Sequence, residues 1–189
     1  MTDLEVLQTV RLKGRVALAD VAAALGADPQ ATVDRLAADG LLVAGPVLRL
    51  TPDGRARLAA LLADERSAVD AAAASSCYAD FTPVNADFKA ALSEWQLARG
   101  SGQEDPARDA EMLAAVEDVH GRVTPVVAAA GDVLPRLRRY ADRLAEALDK
   151  ARAGDLTWIS RPLVDSYHTV WFELHEELIG LAGRTRDGD

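Results

Sequence analysis

Cysteine is almost absent from the chain, and long apolar runs are missing altogether. The single cysteine, Cys77, cannot form an intrachain disulfide and cannot supply a cysteine cage for zinc. No apolar run approaches the roughly 18–20 residues that span a bilayer. The N-terminal sequence MTDLEVLQTV also lacks the basic and then apolar order of a signal peptide. These absences predict a cytoplasmic protein without a membrane partner.

The motifs of common enzyme classes are missing as well. The sequence has no glycine-rich phosphate loop, no GxSxG nucleophile elbow, no HExxH zinc motif and no paired-carboxylate motif. The sequence identifies no histidine partner for Cys77, so we expect a buried, unreactive thiol. We therefore predict a protein that is not an enzyme and that needs neither a cofactor nor a metal.

The charge is distributed unevenly along the chain, which has 189 residues and a formal net charge of −9. Residues 1–66 contain eight basic and nine acidic side chains, whereas the remaining 123 contain 13 basic and 21 acidic side chains. A protein that binds DNA must neutralise phosphates, so an acidic chain has to confine its basic residues to one surface. Only the N-terminal part has a charge balance that permits this.

Three short helices are predicted before residue 40, because apolar residues recur there at helical spacing. Gly26 follows the second helix, where glycine easily adopts the left-handed conformation of a C-cap. Asp28 and Pro29 begin the third helix as capping and first-turn residues. The helical segments cover residues 3–12, 16–25 and 29–39.

A hairpin and a longer helix are predicted next. Two β-prone runs, 41–43 and 47–50, are separated by the tight-turn sequence Ala-Gly-Pro. Thr51 is suited to the N-cap and Pro52 to the first position of the following helix, which we expect to extend to about residue 75.

Three stretches carry a family resemblance: VAAALG at 21–26, VDRLAADGLL at 33–42 and LTPDGRARL at 50–58. In this order and spacing they resemble the MarR-type and related bacterial winged-helix regulators. The resemblance covers about a third of the chain and implies a winged helix-turn-helix with a two-stranded wing over residues 1–64. The fold class is then mainly α, with an all-helical domain over 65–189.

The third helix would lie in the major groove of duplex DNA and read base edges through its N-terminal half. Arg11 and Lys13 could add positive charge, whereas Asp28, Asp34 and Asp39 would oppose DNA binding. The alternative is that the module binds a protein or has a purely structural role. The predicted DNA contacts are Gln30, Thr32 and Arg35 on bases, and Arg15, Arg49, Arg55 and Arg57 on phosphates.

The second half of the sequence keeps a helical period, and we expect it to form a homodimer or to bind a small effector. One helix is predicted over Val84–Arg99 with Phe88, Leu92 and Trp95 inward, and residues 100–109 read as a surface loop. Residues 184–189 are expected to fray. Further helices are predicted over 107–120, 122–130, 132–153 and 160–182, with breaks at Gly121, Gly131, Gly154 and Pro162.

Aromatic and histidine side chains are concentrated between residues 158 and 175. They could line an effector pocket, but packing in the core or at a dimer interface is the more common arrangement and is favoured here. A metal site is disfavoured, because His168 and His175 would lie about 10 Å apart along a helix, too far for one ion. Asp165 and His120 could join His168 as ligands, but their spacing in the sequence does not match a known metal motif. The candidate ligand-binding residues are Trp95, Trp158, Tyr167, His168, Trp171 and His175.

An arginine-rich run stands out in the acidic half, with arginines at positions 136, 138, 139 and 143. Arginine binds carboxylates and phosphates in a bidentate manner, so an anionic metabolite or an acidic partner could dock there. The favoured interpretation is a solvated helix face paired with neighbouring acids such as Asp142 and Glu146.

A second resemblance involves LQTVRLKG at 7–14, PLVDSYHTVWFELH at 162–175 and GRTR at 183–186. These phrases resemble a segment associated with actinobacterial pyruvate phosphate dikinase-like, phosphoenolpyruvate-utilising proteins, where it accompanies catalytic domains. The swivelling-histidine and nucleotide-grasp signatures of those enzymes are absent, so the resemblance does not imply phosphotransfer. Two hypotheses follow: a dimeric DNA-binding transcriptional regulator, or a non-catalytic interaction module associated with such an enzyme.

Overall fold

The computed structural model describes residues 1–100 and 105–184, and packing divides the chain into two units, Met1–Val69 and Asp70–Asp189. The fold is mainly helical with one small antiparallel sheet, which confirms the predicted fold class at that level. None of the helices within these ranges has both the length and the apolar character that crossing a membrane requires.

The first unit consists of short helices and a two-stranded hairpin. The strands pair antiparallel with Leu42 opposite Leu50, and Val16 forms a further antiparallel bridge with Leu48. The three predicted short helices and the hairpin are confirmed. The elements are α1 Asp3–Lys13, α2 Leu18–Leu25, α3 Gln30–Ala38, β1 Leu42–Val43, β2 Arg49–Leu50 and α4 Pro52–Ser67.

Local capping bonds explain where these helices begin and end. Gly26 ends α2 with φ of 67°, and the Asp28 carboxylate accepts a hydrogen bond of 3.0 Å from the Gln30 amide at the start of α3. Thr51 caps α4 by accepting a 2.9 Å hydrogen bond from the amide of Gly54. The caps predicted at Gly26 and Thr51 are confirmed, whereas the N-cap of α3 is Pro29 and Asp28 bonds to the helix from one residue before it.

The core of the first unit is aliphatic. Apolar side chains of α1, α2, α3, the hairpin and α4 are buried together, and Gly54 in the first turn of α4 lies directly against the backbone of Leu41. This close approach seats the start of α4 on the residue that precedes β1. The largest members of the core are Leu7, Leu36, Leu42, Leu48, Leu50 and Leu58.

The second unit is entirely helical over its described residues, with α5 packed on α6 and α7 packed on both α6 and α9. A 3₁₀ turn, Pro135–Arg138, connects α6 to α7. The helices are α5 Ala71–Gly100, α6 Pro106–Val133, α7 Arg139–Arg152, α8 Thr157–Ser160 and α9 Tyr167–Leu181.

Several predicted helix boundaries in this half are wrong. The helix from Pro52 ends at Ser67, and a new helix begins where Asp70 accepts a hydrogen bond of 2.8 Å from the Ala72 amide. Helix α5 then continues through Pro83, although separate helices were expected there. Helix α6 continues through Gly121, because the cost of about 1 kcal/mol for one helical glycine is smaller than the gain from its buried valines.

The predicted loop over 100–109 is also partly wrong. Helix α6 begins at Pro106 with Asp105 as its N-cap, so the last residues of that stretch are helical. Residues 101–104 of the predicted loop lie outside the described residues, as do residues 185–189 of the predicted frayed end. The break at Gly154 is confirmed, since α7 ends at Arg152 and Gly154 has φ of 103°.

Candidate functional site

The side chains predicted to read DNA bases lie on α3, where carboxylates engage most of them. Gln30 is exposed and donates a hydrogen bond of 2.7 Å to Asp34 one turn later, whereas Thr32 is half-buried. Arg35 forms an ion pair with Asp3 of α1 and a longer one of 3.8 Å with Asp39. The hydrogen bond to Asp3 raises the pKa of Arg35. Helix α3 therefore presents little uncompensated positive charge.

Three other arginines surround a groove in the same unit. Arg11 in the last turn of α1, Arg49 on β2 and Arg55 in the first turn of α4 line a cavity of about 420 Å³. No aspartate or glutamate lines it. The structure thus brings Arg49 and Arg55 of the predicted phosphate contacts together and adds Arg11, while Arg57 is exposed on α4 and does not line the groove.

Arg15 does not line the groove but precedes Val16, which forms a bridge to the hairpin. Val16 bridges Leu48 in antiparallel fashion, so the exposed Arg15 and Arg49 flank the same end of this bridge. Within the ranges that the structure describes, neither Arg15 nor Arg49 is paired with a carboxylate.

In the second unit, three of the candidate ligand-binding residues are part of the core. Tyr167, Trp171 and His175 are buried on α9, with the Trp171 ring 5.0 Å from Phe81 and 4.7 Å from Phe88. The indole Nε1 of Trp171 also donates a hydrogen bond of 2.9 Å to the Asn85 side chain. The ring of His175 packs 5.2 Å from Phe81.

The other three candidates have different surroundings. Trp95 is buried and donates a hydrogen bond of 2.7 Å to Asp109, with the Arg99 guanidinium 4.8 Å from its ring. Trp158 is half-buried beneath the Lys150 ammonium group, which lies 4.0 Å from the ring centre. His168 is exposed, although it lies on the same helix as Trp171.

The structure holds no metal-like cluster of three or more His, Cys, Asp or Glu side chains in residues 1–100 and 105–184. The groups considered for a metal have other contacts: Asp165 accepts hydrogen bonds from Arg143, and His120 Nδ1 lies 3.3 Å from the Tyr167 hydroxyl. Cys77 is buried, as expected, and burial raises the pKa of its thiol, which lowers the thiolate fraction available for nucleophilic chemistry.

The arginine-rich run faces the interior, so the favoured interpretation of a solvated helix face is wrong for most of it. Arg136 pairs with Glu177 at 2.7 Å, and Arg143 pairs with Glu173 at 2.7 Å and with Asp165 at 2.9 Å. Both glutamates lie on α9 one turn apart and are almost fully buried. Their carboxylates attract the arginines inward, where sequence neighbours such as Asp142 and Glu146 were expected to be the partners.

Tyr140 lies at the centre of this charged core and is fully buried. Its hydroxyl donates a hydrogen bond of 3.4 Å to the same Glu177 oxygen that accepts from Arg136. Burial, and then the charges of Glu177 and Glu173, raise the pKa of Tyr140 well above its ordinary value. Burial opposes the charge of Arg143, but Glu173 and Asp165 outweigh it, so the pKa of Arg143 is raised. These ions join α7 to α9.

We expect the second unit to lose stability above a pH of about 10, where tyrosines ionise in the unfolded chain. Burial raises the pKa of both Tyr140 and Tyr167, so each stays protonated in the folded protein. Their stabilising contribution is therefore complete below the unfolded pKa and declines as the pH rises through it, by about 1.4 kcal/mol per pH unit for each tyrosine.

Urea unfolding followed by tryptophan fluorescence between about pH 9 and pH 11 measures this slope, because all three tryptophans lie in the second unit. Tyr140→Phe should remove about half of the slope that Tyr140 and Tyr167 together cause, and Tyr167→Phe should remove the other half. A slope unchanged in the Tyr140→Phe variant would contradict the expectation that the folded protein keeps this hydroxyl protonated.

No family model, curated protein or solved structure matches the chain. The sequence predicted that Arg49 and Arg55 are exposed basic residues of one surface, and both line the groove. It did not predict that Asp3 pairs with Arg35. The two residues are 32 positions apart, and no sequence pattern indicates that they pair.

Proposed function

We propose that the first unit is a winged helix-turn-helix that binds duplex DNA, and that the protein is a transcriptional regulator. The element order supports this proposal: α2 and α3 are joined by a short turn and followed by an antiparallel hairpin, to which Val16 adds a third strand position. The wing of the proposed motif is the hairpin of β1 and β2.

The observation that carries the proposal is the concentration of unmatched positive charge on the hairpin side of this unit. Arg15 and Arg49 flank one end of the Val16–Leu48 bridge without a carboxylate partner in the described ranges, and Arg55 lies beside β2. In a chain with a net charge of −9, such a surface is where phosphate contacts would be made.

The proposal includes a cytoplasmic homodimer, because two-fold dimers read paired half-sites of operator DNA. The second unit would then provide the dimer contacts. An effector would act by binding one of two dimer states more tightly than the other, which changes the spacing of the two α3 helices. Aromatic side chains such as Trp95 and Trp158, which lie outside the cluster around Trp171, would be the first to examine for such a ligand.

The second candidate function is a non-catalytic protein-interaction module, in line with the resemblance to segments of phosphoenolpyruvate-utilising proteins. The pairing of Arg35 with Asp3 and Asp39 favours it, as does the hydrogen bond between Gln30 and Asp34. A helix that reads DNA needs free donors, whereas a neutral polar helix face is suited to contact with a protein.

The salt dependence of binding to mixed-sequence duplex DNA separates the two functions. If three phosphates are neutralised by each protomer, affinity should fall about 40-fold between roughly 50 and 200 mM salt. The doubly substituted Arg15→Ala/Arg49→Ala protein should show a log–log salt slope smaller by about two. Fluorescence anisotropy of a labelled duplex with the full chain measures both effects.

Arg66→Ala is the matched control, because Arg66 is an exposed arginine in the last turn of α4 and far along that helix from β2. Its salt slope should equal that of the unsubstituted protein. Undetectable affinity at low salt would reject the regulator and favour the interaction module. Selection of genomic fragments by the purified protein would then reveal sequence preference if binding is observed.

A further inference from the structure

The groove between the end of α1, strand β2 and the start of α4 has the dimensions of a ligand site. Its volume of about 420 Å³ lies within the range of roughly 300–1,000 Å³ typical of such sites. Val10, Val43 and Leu50 provide apolar lining, while the guanidinium groups of Arg49 and Arg55 supply polar donors. Apolar walls with a few convergent polar groups are characteristic of binding sites.

The charge of the lining distinguishes this groove from cavities of the second unit. The groove has three arginines and no carboxylate. The cavity beside Trp95 contains Glu94 and Glu111 as well as Arg108, so its charges compensate each other. Arg49 and Arg55 are like charges beside one cavity and repel each other, and no acidic residue lines that cavity. An anion in the groove would remove that repulsion.

The backbone around the groove gives each arginine a defined place. Thr51 and Pro52 form the start of the 16-residue helix α4, whose positive end adjoins the groove and favours an anion. Arg11 donates through Nε to Gln8 at 3.0 Å, and its charge offsets the negative end of the α1 dipole. Arg55 contacts the Leu50 carbonyl at 3.4 Å, which keeps its head group beside β2.

We infer that this groove is a phosphate-binding site formed by Arg49 and Arg55, with Arg11 in its lining. Guanidinium groups bind phosphate oxygens in a bidentate manner, and the start of α4 adds the helix dipole. The phosphate belongs either to a DNA backbone or to a free phosphorylated molecule, and the two sources share the same chemistry. The inference deepens the proposed function and rests on it only for the DNA source.

Two titrations of the ¹⁵N-labelled full chain test the site, one with inorganic phosphate and one with a short duplex. Inorganic phosphate should cause saturable shifts of the Gly14 and Thr51 amide signals. Arg49→Gln and Arg55→Gln should each weaken phosphate binding by roughly tenfold, which corresponds to one lost charge-assisted bond. Arg66→Gln should bind phosphate as the unsubstituted protein does, and the amide spectra of all variants show whether the fold is retained.

Each outcome decides a different point. Phosphate shifts together with duplex binding that weakens in both groove variants support the site and the DNA source. Phosphate shifts without any duplex binding support the site with a free phosphorylated ligand and reject the proposed function. Duplex binding that is equally strong in the groove variants, with no phosphate shifts, overturns the inference and leaves DNA binding standing, with its phosphate contacts elsewhere than Arg49 and Arg55. If the protein shows neither phosphate shifts nor duplex binding, both the inference and the proposed function are overturned.

Discussion

Replacing Gly54 with alanine should destabilise the first unit by about 1–3 kcal/mol or more, the usual range for forced overpacking. A Cβ atom at this position would overlap the carbonyl oxygen of Leu41 and press on its carbonyl carbon. These are backbone atoms, so no side-chain rotation can relieve the clash. Either α4 or the chain entering β1 has to move, which would also open the groove at Arg55.

Gly45→Ala is the matched control, since a Cβ atom there meets nothing within 4 Å and its φ is not in the left-handed region. Its stability should change by less than about 0.5 kcal/mol. Hydrogen exchange of peptides from residues 1–69 measures the first unit directly, while tryptophan fluorescence monitors the second as an internal reference. Equal protection in the Gly54→Ala and Gly45→Ala proteins would show that α4 does not approach Leu41 so closely.

Replacing Glu177 with alanine should destabilise the second unit by about 3–5 kcal/mol, the range for breaking a buried ion pair by removing one partner. One oxygen of Glu177 accepts from Arg136 at 2.7 Å and from the Tyr140 hydroxyl at 3.4 Å, and Arg139 lies 3.9 Å away. Removal of this carboxylate leaves buried positive charge without compensation and creates a cavity beside α7.

Two further variants define the cause. Glu177→Gln keeps a hydrogen-bond acceptor and most of the side-chain volume, so it should lose less stability than Glu177→Ala. The stability that it does lose measures the contribution of the negative charge. Glu146→Ala removes an exposed carboxylate that pairs only one turn along α7 with Lys150, and should change stability by less than about 1 kcal/mol. Urea unfolding monitored by tryptophan fluorescence compares them. Similar stabilities of Glu177→Ala and Glu146→Ala would contradict a stabilising role for the buried network.

The first unit could be predicted well because its signals are local. The side chains of Asp28 and Thr51 bond to amides two or three residues away, and Gly26 needs only its own backbone conformation. The hairpin is likewise specified by a short turn between two β-prone runs. Interactions of this length are visible in a sequence, since their partners are separated by a fixed small number of residues.

The second unit was predicted less well because its helix ends depend on packing. Pro83 and Gly121 are unfavourable inside helices, yet α5 and α6 continue through them. Burial of neighbours such as Phe81 and Val123 offsets that local cost. The spacing of apolar residues indicates correctly that these segments are helical. Where each helix ends depends on the neighbouring helices that pack against it.

The amino-acid sequence by itself determined the helical class, the short capped helices of the first unit and the positions of the basic residues. Only the tertiary structure decided which charges meet: Arg35 with Asp3 across 32 residues, Arg143 with Glu173 across 30, and Arg49 with Arg55 around one groove. The physical reason is that Coulomb interactions depend on distance in space, and folding sets that distance independently of separation along the chain.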